Sequence, residues 1–410
     1  MIRYADALDV VRTSASGVSL AVETLPLRAA RGLVLAADVH AASDVPRFAN
    51  SAMDGFAVLA AATPGRFVVA QRLFAGDEAG AESVDATRAV EIMTGAPIPP
   101  GADAVARVED VRVVVDGAGG LAGAGMRSVE VPLHVAPGAS VRAAGEDYRA
   151  GDLVARAGTR LTPESLLALA QTGTGAVRVH ARPRVAIVPT GRELAEPGEA
   201  LASRAMVWSS SPVYLAAALE DAGCEVVVLP LVRDDVADFD AALAGVADAH
   251  LVLTTGAVSA GAHDFVPDAL RARGARVLFH KMAARPAKPV LFAELGAQRV
   301  FGLPGNPISS AVAWRFLVWP AVAAMLGMAP EGPRRARLTA EVRKPAGLRC
   351  FYKAALRGDT VAVTAGQGSH LVRPLAECDV WAVLEEDAEC VAAGTEVDVF
   401  PLQPAPVSSR

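Results

Sequence analysis

Four carboxylates and three cations recur just beyond apolar runs in the middle of the chain. They are Glu193 in PTGREL, Asp234 and Asp235 in VRDD, Asp264 in TTGAVSAGAHDF, and Lys281, Arg285 and Lys288 in HKMAARPAKP. Carboxylates are hard oxygen ligands for Mg²⁺. Lysine and arginine offset phosphate charge. A site holding both suits a metal-bridged phosphate ester or pyrophosphate. A further segment, GLPGNPISS, sets Pro304, Gly305, Asn306 and Pro307 in a tight loop that opens a helix. Exposed amides at a helix N-terminus favour an anion, and Ser309 and Ser310 add hydroxyl donors. Thr190-Gly191 ends the first apolar run and opens a loop of the kind that receives a phosphate or polar ligand.

Taken singly, each of these is ordinary. A Thr-Gly after a strand is usually a turn, Asp-Asp a solvated helix cap, a lysine near a strand end a surface charge. What gathers them is the sheet that must carry them. Residues 182–328 alternate apolar strand runs (RVAIVPT, CEVVVLPLV, HLVLTTG, RVLFHKM, PVLFAEL, RVFGLPG) with amphipathic helical ones, which predicts a parallel sheet covered on both faces. Ligands in such sheets bind beyond the carboxyl ends of the strands, and all five polar segments follow such ends.

Around this domain the chain reads differently. Residues 5–12 look helical, and 25–41 show a second helix-like pattern. Residues 46–142 alternate short β runs with Gly/Pro turns, a small all-β domain whose DGAGGLAGAGM reads as a hairpin tip. Residues 1–45 and 143–181 form a linking domain. Thr162-Pro163 begins a helix there. Residues 329–410 suit a small β-barrel.

Composition bounds the function. The 410 residues are 52% hydrophobic and 20% charged, enough for several cores. A net charge of -6 argues against nucleic acid as a partner. The four cysteines are scattered without CxxC, and His263, His280 and His370 have no paired ligand spacing, so no zinc site is suggested. No GxSxG elbow or P-loop is present. The N-terminus has no signal-type apolar core, and no apolar run approaches a membrane span. These features predict a soluble cytoplasmic protein with no membrane partner.

The motifs NSAMDGFAV, MTGAPIPPGADAV, GEDY, PTGREL, TTGAVSAGAHDF, KMAARPAKPV and GLPGNPIS occur in an order that resembles the molybdopterin molybdenumtransferases, the MoeA and gephyrin E-domain family. The resemblance spans essentially the whole chain. It implies an α/β domain, an inserted β domain, an elongated linking domain and a C-terminal β-barrel, assembled as a homodimer. The implied reaction inserts molybdate into adenylylated molybdopterin with Mg²⁺, releasing molybdenum cofactor and AMP. An upstream adenylyltransferase and recipient molybdoenzymes are the implied partners. The resemblance assigns catalysis to Asp54, Thr94, Glu193, Asp264 and Lys281, with Glu193, Asp234 and Asp264 on the metal. It assigns substrate binding to Asp147, Arg285, Lys288, Pro304, Pro307 and Ser369. The implied active site lies at the dimer interface, completed by the inserted domain of the partner.

Five positions depart from the family pattern. Arg192 stands where relatives carry Asp, Ala257 and Ala287 stand where they carry Gly, and Ser211 replaces an Asn. A family Arg corresponds to Lys353. These departures leave an alternative open: a divergent paralogue that binds molybdopterin or a nucleotide without turnover, as a cofactor carrier. Ala at 257 and 287 carries strain if those backbones need positive φ.

Overall fold

A computed structural model describes residues 1–79, 82–116, 126–233, 235–258 and 265–404. The chain forms two compact units. One contains Met1–Ala37, Arg156–Pro163 and the chain from Ala176 onward; the other contains Asp38–Ala155 and Glu164–Gly175.

The first unit is built on a six-stranded sheet. Its order is Glu225–Val228, Arg184–Pro189, Leu251–Thr255, Gln298–Leu303, Leu291–Leu295, Arg276–His280. The first four strands are parallel, as the alternating strand and helix pattern predicts. The last two are not: Leu291–Leu295 runs antiparallel to both its neighbours. The cause is local. Only Gly296-Ala297 separates Leu295 from Gln298, and a two-residue link closes a hairpin, whereas a parallel return needs a long crossover. Arg276–His280, antiparallel to an antiparallel strand, points the same way as the parallel four. Its polar carboxyl end therefore meets theirs at one edge.

Strand alternation divides two cores between the faces of the sheet. Val185, Ile187, Leu251, Leu253, Phe301 and Leu303 pack with the helices Ser211–Asp221 and Pro307–Met325. Ala186, Val188, Val252 and Val300 pack with Val236–Gly245 and Val266–Ala272. The N-terminal helix, Tyr4–Ser16, is longer than the predicted 5–12 and buries Tyr4, Ala7, Val11 and Ala15, one face at helical spacing, in the first of these cores.

The long helix Pro307–Met325 satisfies the length and hydropathy of a membrane span, which the sequence reading did not anticipate; 89% of that window is buried inside the protein, which accounts for its apolarity. It is interrupted by a π turn, Trp314–Val318, which ends two residues before Pro320. Proline has no N–H for the carbonyl one turn back and its ring crowds that carbonyl, and a π turn relieves the clash. That carbonyl is Phe316 O, and the Tyr4 hydroxyl donates to it at 3.3 Å.

The second helix-like pattern, 25–41, is not a helix. Only Leu27–Ala29 forms a single 3-10 turn. Val22–Pro26 pairs with Ala176–His180, while Gly32, Leu35 and Ala36 donate their amides to Leu161, Thr159 and Arg178. Non-local pairing within the unit overrides a weak helical spacing.

The C-terminal part closes into a five-stranded barrel. Arg349–Arg357 pairs with both Thr360–Val363 and Val380–Leu384, and the ring is completed through Arg334–Leu338 and Glu396–Pro401. Ala284–Arg285, from the cation-bearing loop of the α/β sheet, adds to this barrel parallel to Arg349–Cys350. Phe351, Trp381 and Val383 of the barrel belong to the same core as the long helix.

The second unit carries a small β structure and also takes in residues 38–45, 143–155 and 164–175, which the sequence places in a linking domain. Its sheet runs Ala104–Arg107, Gly55–Val58, Arg88–Ile92, Gly65–Leu73, Met126–Val131, Arg112–Asp116. The last two strands pair antiparallel up to Asp116 and Met126. The predicted hairpin tip between them, 117–125, lies outside the described residues. Gly55 is required by close approach, since a Cβ there would meet Ala106 O at 2.1 Å.

Candidate functional site

A cavity of about 610 Å³ opens at the carboxyl edge of the α/β sheet. Four segments of that edge line it: Glu193, then Gly256 to Val258, then Ala284 to Pro289, then Pro304 to Asn306 with Ser309. Leu348 and the loop Gln367 to His370 of the barrel close its remaining side. The strand directions thus gather segments more than a hundred residues apart, as the sequence reading expected of the sheet edge.

Glu193 sits in the turn after the first strand, exposed, with its carboxylate folded back on its own loop. A Cβ at Gly191, where φ is 145°, would lie 3.0 Å from both Glu193 carboxylate oxygens. Glu193 O accepts from the Val207 amide, and Leu194-Ala195 pair with Val207-Trp208. Arg192 is exposed and is not among the residues lining the cavity.

Thr190 is 1% exposed, and its amide and hydroxyl both donate to Thr255 O, at 2.9 and 3.0 Å. It braces two strand ends and does not line the cavity. Gly256 packs on it: a Cβ there would come within 2.5 Å of Thr190 O, and φ is 99°. The next residue, Ala257, has φ 51°, and Ala287 has φ 75°. Both alanines hold left-handed backbone that favours glycine. The loops keep their course without it.

Arg285 and Lys288 line the cavity and are exposed, so their charge reaches its mouth. Lys281 differs. It is half-buried at φ 75°, its amide donates to Val290 O, its carbonyl accepts from Ile2, and it is not among the lining residues. His280 Nε2 lies 2.7 Å from Val258 O, so that nitrogen carries the proton and the ring braces the lining strand end.

Asn306 precedes the long helix, Pro307 is its first residue and Ser309 is 5% exposed at the cavity wall. Ser310 turns inward and donates to Pro304 O at 2.7 Å, which fixes the Pro304-Gly305 turn. The Ile308 amide donates to Ser369 O at 3.1 Å, tying the barrel loop to the helix start. Among the predicted site residues, the cavity brings together Glu193, Arg285, Lys288, Pro304, Gly305, Asn306, Ser309 and Ser369. Asp234, Asp264 and His263 lie outside the described residues.

Asp54, Thr94 and Asp147 belong to the second unit. There Asp54 Oδ1 accepts from both the amide and the hydroxyl of Thr94, each at 2.8 Å. These two hydrogen bonds hold the exposed Asp54 carboxyl below its usual range. Asp147 is exposed, and its amide donates to Val45 O.

Two contributions were not legible as site residues. Gly256 and Val258 are apolar and carry no chemical signal. Lys353 reads in the sequence only as a replacement for a family arginine. It is completely buried, and desolvation pushes its ammonium pKa down.

An α/β sheet whose carboxyl edge carries a cation-lined cavity beside a helix N-terminus, closed by a barrel loop, defines a ligand-binding fold suited to oxyanion or phosphate chemistry. Comparison with known proteins narrows the class. Residues 2–173 match the MoeA N-terminal region (domain I and II), 186–324 a probable molybdopterin binding domain, and 335–402 the MoeA C-terminal region (domain IV). The molybdopterin molybdenumtransferase of Synechococcus elongatus is 36% identical over 97% of this chain and 99% of its own length. Molybdopterin molybdenumtransferase 2 of Mycobacterium tuberculosis is 38% identical over 92% of this chain and 95% of its own. A crystal structure of the molybdopterin biosynthesis MoeA protein of Pyrococcus horikoshii superposes with a TM-score of 0.82 at 27% identity, covering 97% of this chain and 99% of that one. The chain belongs to the MoeA family of molybdopterin molybdenumtransferases.

Proposed function

We propose that this protein inserts molybdate into adenylylated molybdopterin and hydrolyses the adenylate, releasing molybdenum cofactor and AMP. The observation that carries the reading is the cavity itself: one carboxylate, two exposed cations, a helix N-terminus and a serine-bearing loop converge on about 610 Å³. That set matches the charge of a pyrophosphate and a tetrahedral oxyanion.

Arg285 and Lys288 offset the substrate's phosphate charge and draw molybdate to the cavity mouth. Ser309 and Ser369 hold the oxyanion in place, with the positive end of the long helix behind them. Glu193 offers a hard carboxylate. Mg²⁺ is commonly held by one or two carboxylates together with substrate phosphates, so a single described carboxylate at this cavity fits the ion. Glu193 would hold it, with Asp234 and Asp264 as the family resemblance implies, and the ion would supply neutralisation of the pyrophosphate. Lys281 acts through the loop whose strained backbone it anchors. As the family resemblance implies, the chain works as a homodimer in which Asp54, Thr94 and Asp147 of one copy serve the cavity of the other.

The test is AMP release from adenylylated molybdopterin with molybdate and Mg²⁺. Glu193→Ala should abolish it while pterin binding stays measurable, and an unchanged rate would remove Glu193 from the chemistry. Tight pterin binding by the wild type with AMP release at background would instead support a cofactor carrier. Arg192 lies outside the cavity lining and Ala257 and Ala287 adopt the glycine-like backbone, so none of these departures favours that alternative.

A further inference from the structure

We propose that Lys353 is a positioning residue whose buried ammonium aims the loop 366–371 so that its amides receive the oxyanion in the cavity. The proposal rests on the reading of that cavity as an oxyanion and phosphate site. Lys353 is 0% exposed and is not among the residues lining the cavity. Its Nζ donates to Gly366 O at 2.8 Å, Leu371 O at 3.0 Å and Gly368 O at 3.4 Å. An ammonium has three donors, and all three end on carbonyls of one loop. The charge is committed to the loop and has no donor left for a ligand.

The same loop is clamped at its base. Gln367 Oε1 accepts from the Lys353 amide at 3.0 Å, and its Nε2 donates to Lys353 O and Thr364 O, each at 2.8 Å. The amide of Gln367 is therefore also turned to scaffolding, although the residue borders the cavity. On the far side, Ser369 O accepts from Ile308 at the start of the long helix.

Peptide geometry converts this anchoring into a function. In a trans peptide the N–H points opposite the C=O. With the Gly366 and Gly368 carbonyls drawn onto Lys353, the Gln367 and Ser369 N–H groups face away from it. Gly368 and Ser369 line the cavity and Lys353 does not. A cation bound behind a row of carbonyls also polarises those peptides and strengthens their N–H groups as donors. The bound species is a tetrahedral oxyanion, either free molybdate or a phosphate of the nucleotide.

The experiment compares full-length wild type with Lys353→Met, titrating molybdate alone and AMP alone by calorimetry, and measures AMP release across molybdate concentrations. The expected result is a roughly tenfold weaker anion affinity, the worth of one charge-assisted hydrogen bond. KM for molybdate should rise with kcat within about twofold, which general loosening of the fold would not produce. Loss confined to molybdate identifies the transferred oxyanion, and loss confined to AMP identifies the phosphate; either supports the proposal. Unchanged affinity for both overturns it. If Lys353→Met does not fold, Gln367→Ala releases the same loop and decides by the same readout. A wild type that binds neither anion would remove the cavity reading and this inference together, whereas a binding wild type with unaffected variants removes only the inference.

Discussion

Ala257→Gly and its neighbour Gly256→Ala should shift stability in opposite directions, although each changes one methyl group. Ala257 has φ 51° and is half-buried. Left-handed backbone costs an L-residue about 1–2 kcal/mol. Glycine removes that cost but gives back about 0.4–1 kcal/mol through a more flexible unfolded chain. Losing a half-buried methyl costs about 0.4 kcal/mol more. The net for Ala257→Gly is a gain of about 0.4 kcal/mol. At Ala287, φ 75° and 1% exposed, the methyl is fully buried and worth about 0.8 kcal/mol, so Ala287→Gly should come out near zero. Gly256→Ala meets both penalties at once: φ is 99° and the new Cβ lies 2.5 Å from Thr190 O. Strain and overpacking together should cost about 2–5 kcal/mol. Urea unfolding followed by tryptophan fluorescence reads this directly, because Trp208, Trp314, Trp319 and Trp381, all of the protein's tryptophans, lie in the unit that contains these loops. A loss of 1 kcal/mol or more in Ala257→Gly, or a cost below 1 kcal/mol in Gly256→Ala, would refute the reasoning.

Two further outcomes follow from the hydrogen bonds. Thr94→Val removes one of the two donors that hold the Asp54 carboxyl low, so an NMR titration should find that carboxyl moved up. Because the depressed carboxyl favours the folded state above its unfolded pKa, the acid-side loss of that contribution should shrink in the variant; an unmoved titration would contradict the assignment. Tyr4→Phe takes away the donor to Phe316 O and should cost about 1 kcal/mol. Burial pushes the Tyr4 hydroxyl up to about 12 from 10.0. The unfolded chain therefore loses that proton first, and stability should fall between about pH 10 and 12 by on the order of 2–3 kcal/mol. Tyr4→Phe should lose only that share of the alkaline loss, because burial also pushes up the Tyr214 hydroxyl and the Cys224 thiol.

Much of the α/β domain was legible because its strands are buried on both faces and read as unbroken apolar runs. Leu251–Thr255, buried throughout, shows this. The polar segments after those runs were legible as a cluster because sheet geometry alone brings strand ends together. Strand direction was harder to read. The reversal at Gly296-Ala297 turns on a two-residue link, a signal the overall alternation of strands and helices outweighed. The 25–41 segment misled because its spacing suits a helix while its hydrogen bonds go to residues more than a hundred positions away. Positive φ at Ala257 could be posed as a question only because glycine was expected there. Lys353 gave no sign of its role, since a buried cation bound to carbonyls has no sequence signature.

The core shared by the long helix and the barrel bears on how the chain is made. Phe316 packs tilted against Phe351 at 4.3 Å between ring centroids and meets Trp381 and Phe400 edge-on, all contributed by later sequence. At translation rates of about 5–20 residues per second, the 77 residues from 326 to 402 take roughly 4–15 s to appear. Throughout that interval a helix apolar enough to enter a bilayer has no barrel to cover it, and the cavity has no barrel loop to close it. The barrel thus acts as a late cap. A nascent chain stalled before residue 335 should engage chaperones that bind exposed apolar helices, and one released beyond residue 402 should not.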